Sequence, residues 1–204
     1  MRTWRLSLAM MLLAGLTAYA GDEEKKTWTF DKDTPGAAPK GFSPAVGDWS
    51  VVTTEEGNVL AQTASSANPV FNVVLVDDTN AKDVDLTVKI KAIAGERDQG
   101  GGLVWRAADA KNYYLARYNP LEDNYRLYRV VGGKRTLIQN VDIAHTDGWH
   151  TLRVTMTGDQ ITCYYDGKKS LEAKDSTLPE AGKLGLWSKA DAQSQFDDLT
   201  LITP

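Results

Sequence analysis

Between Trp149 and Gly167 the chain alternates apolar and polar residues twice in succession, and that pattern leaves few folds open. Leu152, Val154 and Met156 alternate with Thr151, Arg153 and Thr155, the period-2 signature of a strand with one buried face. After Thr157-Gly158-Asp159-Gln160 the pattern resumes at Ile161, Cys163 and Tyr165, and Asp166-Gly167 opens another tight turn. Val84, Leu86, Val88 and Ile90 alternate in the same way with Asp85, Thr87, Lys89 and Lys91, and Val70 to Val76 is almost continuously apolar. No helical periodicity of useful length interrupts them. The expectation is an all-β chain folded as a two-sheet antiparallel β-sandwich or jelly roll.

A chain of 204 residues with 42% hydrophobic content can bury one good core. Its first 20 residues read as a signal peptide: Arg2 and Arg5, an apolar run from Leu6 to Leu16, then Ala18-Tyr19-Ala20 as a small-x-small cleavage pattern. That run is far short of a membrane span. Cleavage removes two arginines and no acidic residue, taking the net charge from −4 to −6. The expectation is an exported protein, periplasmic or extracellular, with no membrane span. A mildly acidic domain is also a poor partner for nucleic acid. Cys163 is the single cysteine and lies on the apolar parity of its strand, so it reads as a small buried hydrophobe.

Residues 21–26 form a short charged tail, expected to be mobile, and one domain is expected over 27–203. It opens with an edge strand at Trp28-Thr29-Phe30-Asp31, followed by a Pro- and Gly-rich loop from Pro35 to Pro44. Asp48 to Val52 and Val59 to Gln62 read as a hairpin around Glu56-Gly57-Asn58. Gln99-Gly100-Gly101-Gly102 reads as a flexible approach to the strand at Leu103.

Gly102 to Arg106, Tyr113 to Tyr118 and Tyr125 to Val131 read as three successive antiparallel strands joined by two six-residue loops. Direct pairing across those loops sets Arg106 opposite Tyr113, Arg117 opposite Arg126 and Leu115 opposite Tyr128. Opposed residues share a sheet face, as do residues two apart along a strand. One face then carries Arg106, Tyr113, Arg117, Arg126 and Tyr128, with Val104 and Leu115 between them. The other carries Leu103, Trp105, Ala116, Tyr125, Leu127 and Val131 and looks like core. A one-residue bulge would scramble the assignment. Guanidinium forks and tyrosine rings suit a sugar or anionic ligand. The plainer reading is a solvated face whose arginines pair with Asp109, Glu122 or Asp123. On either reading these arginines are exposed, so removing them should cost little stability.

Catalytic signatures are missing. The nearest acidic alternation, Asp83-Val84-Asp85-Leu86-Thr87, ends in a threonine and lacks the paired carboxylates of retaining glycoside hydrolysis. His145 and His150 are the two histidines, and each reads as structural. There is no G-x-S-x-G elbow, phosphate loop or zinc spacing.

The strand pair at Trp149 to Gly167, with Gly182 to Trp187 and Phe196 to Leu201, resembles the concanavalin A-like and laminin G-like β-sandwich superfamily. Gly102-Leu103-Val104-Trp105-Arg106, Asp109, Asn112 to Arg117 and Trp149 to Val154 are similar to secreted bacterial 3-keto-disaccharide hydrolase (family-16-like) domains. The resemblance implies a concanavalin A-like jelly roll, a carbohydrate or glycan ligand and a concave site face. It also implies a structural calcium between the first and last strands, with Asp31 and Asp197 or Asp198 supplying carboxylates. The reading that follows is a secreted, non-catalytic carbohydrate-binding module. Its rivals are a hydrolase or lyase acting on 3-keto-glycosides or disaccharides, and a laminin G-like protein-interaction domain.

Overall fold

The computed structural model describes residues 24–203, so the expected signal peptide lies outside the described residues. Fifteen strands and no helix appear among them. In chain order they begin with β1 (Glu24–Trp28), β2 (Phe42–Val46), β3 (Trp49–Thr54), β4 (Gly57–Gln62) and β5 (Phe71–Val76). There follow β6 (Val84–Ala94), β7 (Gly101–Asp109), β8 (Asn112–Asn119), β9 (Asn124–Val131) and β10 (Lys134–Asp142). The last are β11 (Trp149–Thr157), β12 (Gln160–Tyr165), β13 (Lys168–Lys174), β14 (Lys183–Lys189) and β15 (Gln193–Thr203).

The strands form two antiparallel sheets. One has eight strands, in the order β13-β12-β11-β6-β15-β4-β3, with β1 also paired to β15. The other has seven, in the order β10-β9-β8-β7-β14-β5-β2. The alternation read from sequence does what it predicts. Leu86, Val88 and Ile90 of β6, Leu152, Val154 and Met156 of β11, and Ile161 and Cys163 of β12 all point into the layer between the sheets and are fully buried. Each such aliphatic contributes roughly 1.5–3 kcal/mol. Opposite them the seven-stranded sheet supplies Leu103, Trp105, Tyr114, Ala116, Tyr118, Tyr125 and Leu127. The Trp105 indole N–H reaches Met156 Sδ across the layer at 3.1 Å.

Several boundaries differ from expectation. Glu24 to Lys26 belong to β1 and pair with Thr203 to Leu201, so this part of the expected tail is strand. β1 ends at Trp28, and Phe30 turns through φ 61° with its ring buried against Phe42. The expected loop ends earlier too, because Phe42 to Val46 forms β2 at the sheet edge, where Pro44 tolerates its missing N–H. Val131 is 44% exposed rather than core, since it ends its strand at the β9–β10 turn.

Candidate functional site

The β8–β9 register is the one read from sequence: Leu115 faces Tyr128 and Arg117 faces Arg126. Val104 faces Leu115 on β7. Tyr113, Arg117, Arg126 and Tyr128 therefore share the outer face of the seven-stranded sheet with Val104 and Leu115.

Arg106 does not join them. The β7–β8 ladder is broken between Trp105 and Asp109, and Arg106 sits at φ 48°, in the left-handed region. This irregularity turns its side chain off the outer face. The guanidinium donates instead to the carbonyls of Lys82 (2.6 Å), Gly158 (2.7 Å) and Leu178 (3.1 Å) and to the Asp83 carboxylate (3.3 Å). Asp83 and Gly158 flank strands of the opposite sheet, so Arg106 ties the two sheets together.

The outer face is itself packed. Val73, Val104, Tyr113, Leu115, Val130 and Trp187 form a second, fully buried apolar cluster that includes Tyr128, with Phe71 against it. The Trp187 indole N–H donates to the Tyr113 hydroxyl at 3.1 Å. Burial pushes the Tyr113 phenol well up, so it stays neutral. Arg135, opposite Val130 on β10, lays its guanidinium 4.4 Å from the Tyr128 ring centroid, 5.3 Å from Phe71 and 5.6 Å from Trp187.

Beside this aromatic floor lies an ionic network. Glu122 Oε2 accepts from Arg126 (2.9 Å), Asn124 (3.1 Å) and Arg117 (3.3 Å). Burial works to raise the Glu122 carboxyl, but Asn124 and the two arginines outweigh it and hold it below the usual range. Arg126 also donates to Asn140 Oδ1 at 2.8 Å. Beneath, the fully buried Asp98 accepts from Arg117 (2.6 Å) and Asn119 (3.1 Å), with the Lys189 ammonium 3.1 Å from its other oxygen. The Arg117 side chain is only 1% exposed, whereas those of Arg126 and Glu122 are 32% and 41% exposed. Arg117 is thus a buried strut, and Arg126 with Glu122 forms the accessible rim.

Sequence reading misses Asp98, Arg135, Trp187, Phe71 and Lys189. Arg135 follows from extending the cross-strand count one hairpin further, past Gly132-Gly133. The others arrive through β5, β14 and the segment before β7, whose adjacency no local pattern reveals.

The acidic alternation and His150 are engaged in contacts within the protein, in keeping with their structural reading. Asp85 forms a two-pronged pair with Arg153 at 2.7 and 2.6 Å. Asp83 accepts from Arg106 and from the Gly158 N–H. His150 lies between Asp166 (2.9 Å) and the Thr146 carbonyl (3.0 Å), its ring stacked on Tyr165. Of the residues expected to hold calcium, Asp31, Asp197 and Asp198 lie close enough for their charges to act on one another, and among the described residues no group of three or more His, Cys, Asp or Glu side chains is arranged to hold a metal. The Lys89 ammonium takes Asp198 at 2.7 Å. Burial, then the charges of Asp198 and Asp31, raise the Asp197 carboxyl.

The fold places the chain among two-sheet antiparallel β-sandwiches. Solved structures of similar fold include a carbohydrate binding module and a glycoside hydrolase-family protein. The carbohydrate binding module CBM66 from Bacillus subtilis superposes with a TM-score of 0.68 at 23% identity, covering 78% of this chain and 94% of the module. The GH43 protein BlXynB from Bacillus licheniformis gives a TM-score of 0.62 at 17% identity, covering 87% of this chain and 39% of that one. In sequence, the chain is 29% identical over 140 residues to an extracellular exo-alpha-L-arabinofuranosidase of Streptomyces chartreusis. That match covers 67% of this chain but only 16% of the length of that relative. No family model matches the chain.

Proposed function

We propose that the chain is an exported, non-catalytic carbohydrate-binding module that takes its ligand on the outer face of the seven-stranded sheet. The observation that carries this reading is the shared Glu122 carboxylate. It fixes Arg117 and Arg126 beside the Arg135–Tyr128 stack, making a preorganised set of donors and an acceptor over an aromatic floor. In this reading Arg126, Glu122, Arg135 and the Tyr128 edge meet the sugar. Tyr113 and Arg117 hold them from below. The likeness to a carbohydrate binding module supports the ligand class, and the likeness to an extracellular enzyme supports export.

A glycan array probed with the purified chain tests the proposal. The wild-type chain should bind a defined glycan set. Glu122→Ala with Arg126→Ala should weaken that binding by roughly tenfold or more, the effect of losing charge-assisted contacts worth about 1.5–3 kcal/mol. No glycan bound, or full affinity in the double variant, would defeat it. Turnover of 3-keto-disaccharides would instead favour the hydrolase or lyase reading, and binding to protein ligands alone the laminin G-like one.

A further inference from the structure

The cations of the outer face are not equally satisfied. Arg117 has both Asp98 and Glu122 within 3.3 Å, Arg126 has Glu122, and Lys189 has Asp98. Arg135 pairs with no carboxylate among the described residues, and its Nη1 is buried without a hydrogen-bond partner. Its guanidinium is nonetheless held over three aromatic rings. Burial first, and the charge of Arg117 among its neighbours, make the charged form of Arg135 harder to hold. A desolvated cation without a counterion is costly unless something completes it. Nη1 faces the protein, while Nε and Nη2 are neither bonded to another side chain nor buried, so this edge is the one a ligand can meet. A neutral hydroxyl there would leave the charge uncompensated. A carboxylate supplies the countercharge as well, in the planar two-point geometry that guanidinium favours.

We propose that the sugar bound on this face is an acidic one, and that Arg135 receives its carboxylate. The inference rests on the carbohydrate-binding reading above and narrows it. The three rings pack around the guanidinium carbon at 4.4, 5.3 and 5.6 Å, so the carboxylate meets the nitrogens they leave uncovered while the sugar ring extends toward Arg126 and Glu122.

The test uses an array of uronic-acid oligosaccharides, their methyl esters and neutral glycans. Esterification removes the charge and keeps the sugar, so the wild-type comparison needs no variant. The acids should bind at least tenfold more tightly than the matching esters, and raising sodium chloride from 0.15 to about 0.5 M should erode that preference. Arg135→Met, which keeps an apolar stem over the rings, should abolish the difference between acid and ester. Arg135→Lys should restore part of it. Equal binding of acid and ester, or an acid preference that survives in Arg135→Met, would overturn the inference. Binding of neutral glycans alone would also overturn it while leaving the carbohydrate-binding reading intact. Failure to bind any glycan would remove both.

Discussion

Arg106 and Arg117 look alike in the sequence, each following apolar and aromatic residues of a strand, yet their surroundings in the fold assign them different work. Arg106 spends its N–H groups on three carbonyls and one carboxylate, and its side chain is 1% exposed. Truncating it leaves the Lys82, Gly158 and Leu178 carbonyls without their donor inside the protein. Arg106→Ala should therefore cost about 3–5 kcal/mol, the scale for breaking a buried charged network. In a domain of this size that lowers Tm by roughly 10 °C, which a thermal melt will read. A change of only a degree or two would mean that water replaces the guanidinium freely. This reverses what the sequence implies, since an arginine on an exposed sheet face contributes roughly 0–1 kcal/mol. The difference traces to backbone geometry. The left-handed turn at Arg106 has no signature in Trp105-Arg106-Ala107, because no glycine or asparagine marks it.

At the scale of elements, what was legible depended on whether a ladder stayed regular. β8 and β9 pair without a shift from Tyr113–Val130 to Asn119–Asn124, so counting across the loop puts Arg117 opposite Arg126 correctly. β7 and β8 do not, and the same count fails for Arg106. The glycine run before Leu103 misleads in another way. Gly102 lies within β7, and a Cβ there would stand 1.9 Å from the Ala116 carbonyl oxygen, so the residue permits close backbone approach rather than flexibility. The segment between β6 and β7 is likewise clasped. The Asp191 carboxylate accepts the backbone N–H groups of Glu96 (3.0 Å), Arg97 (3.1 Å) and Asp98 (3.1 Å). Burial works against ionisation, but these N–H groups prevail and hold the Asp191 carboxyl below its usual range. A carboxyl depressed in the folded state contributes stability above its unfolded pKa and loses it as pH falls through the folded pKa. Asp191→Ala should speed amide exchange at Glu96, Arg97 and Asp98 at neutral pH. Because Asp98 braces Arg117, it should also weaken ligand binding. The wild-type clasp should loosen in the same way as acid protonates Asp191. Unchanged exchange in the variant would show that the segment is held by other contacts.

For the whole molecule, the consequence is that the proposed site and the core share one sheet. Along β8 the inner residues Tyr114, Ala116 and Tyr118 pack between the sheets, while Tyr113, Leu115 and Arg117 build the outer face. Each is at most 1% exposed, so the sheet is packed on both sides rather than solvated on one. Trp105 lies in the inner cluster and Trp187 in the outer one, so tryptophan fluorescence reports on both packing layers. A binding face on a loop could melt ahead of its scaffold. Apart from Glu122 in the β8–β9 turn and Asp98 ahead of β7, the proposed face stands on strands, and its apolar cluster cannot loosen without freeing side chains of the strands that also close the core. Fluorescence and far-ultraviolet circular dichroism should therefore trace one coincident thermal transition, and a bound glycan should move both curves upward together. If the outer cluster loosened first, the fluorescence change would precede the loss of strand signal, and the two curves would separate. That separation would assign the outer face to a less stable layer and contradict a proposed site whose aromatic floor the sheet preorganises.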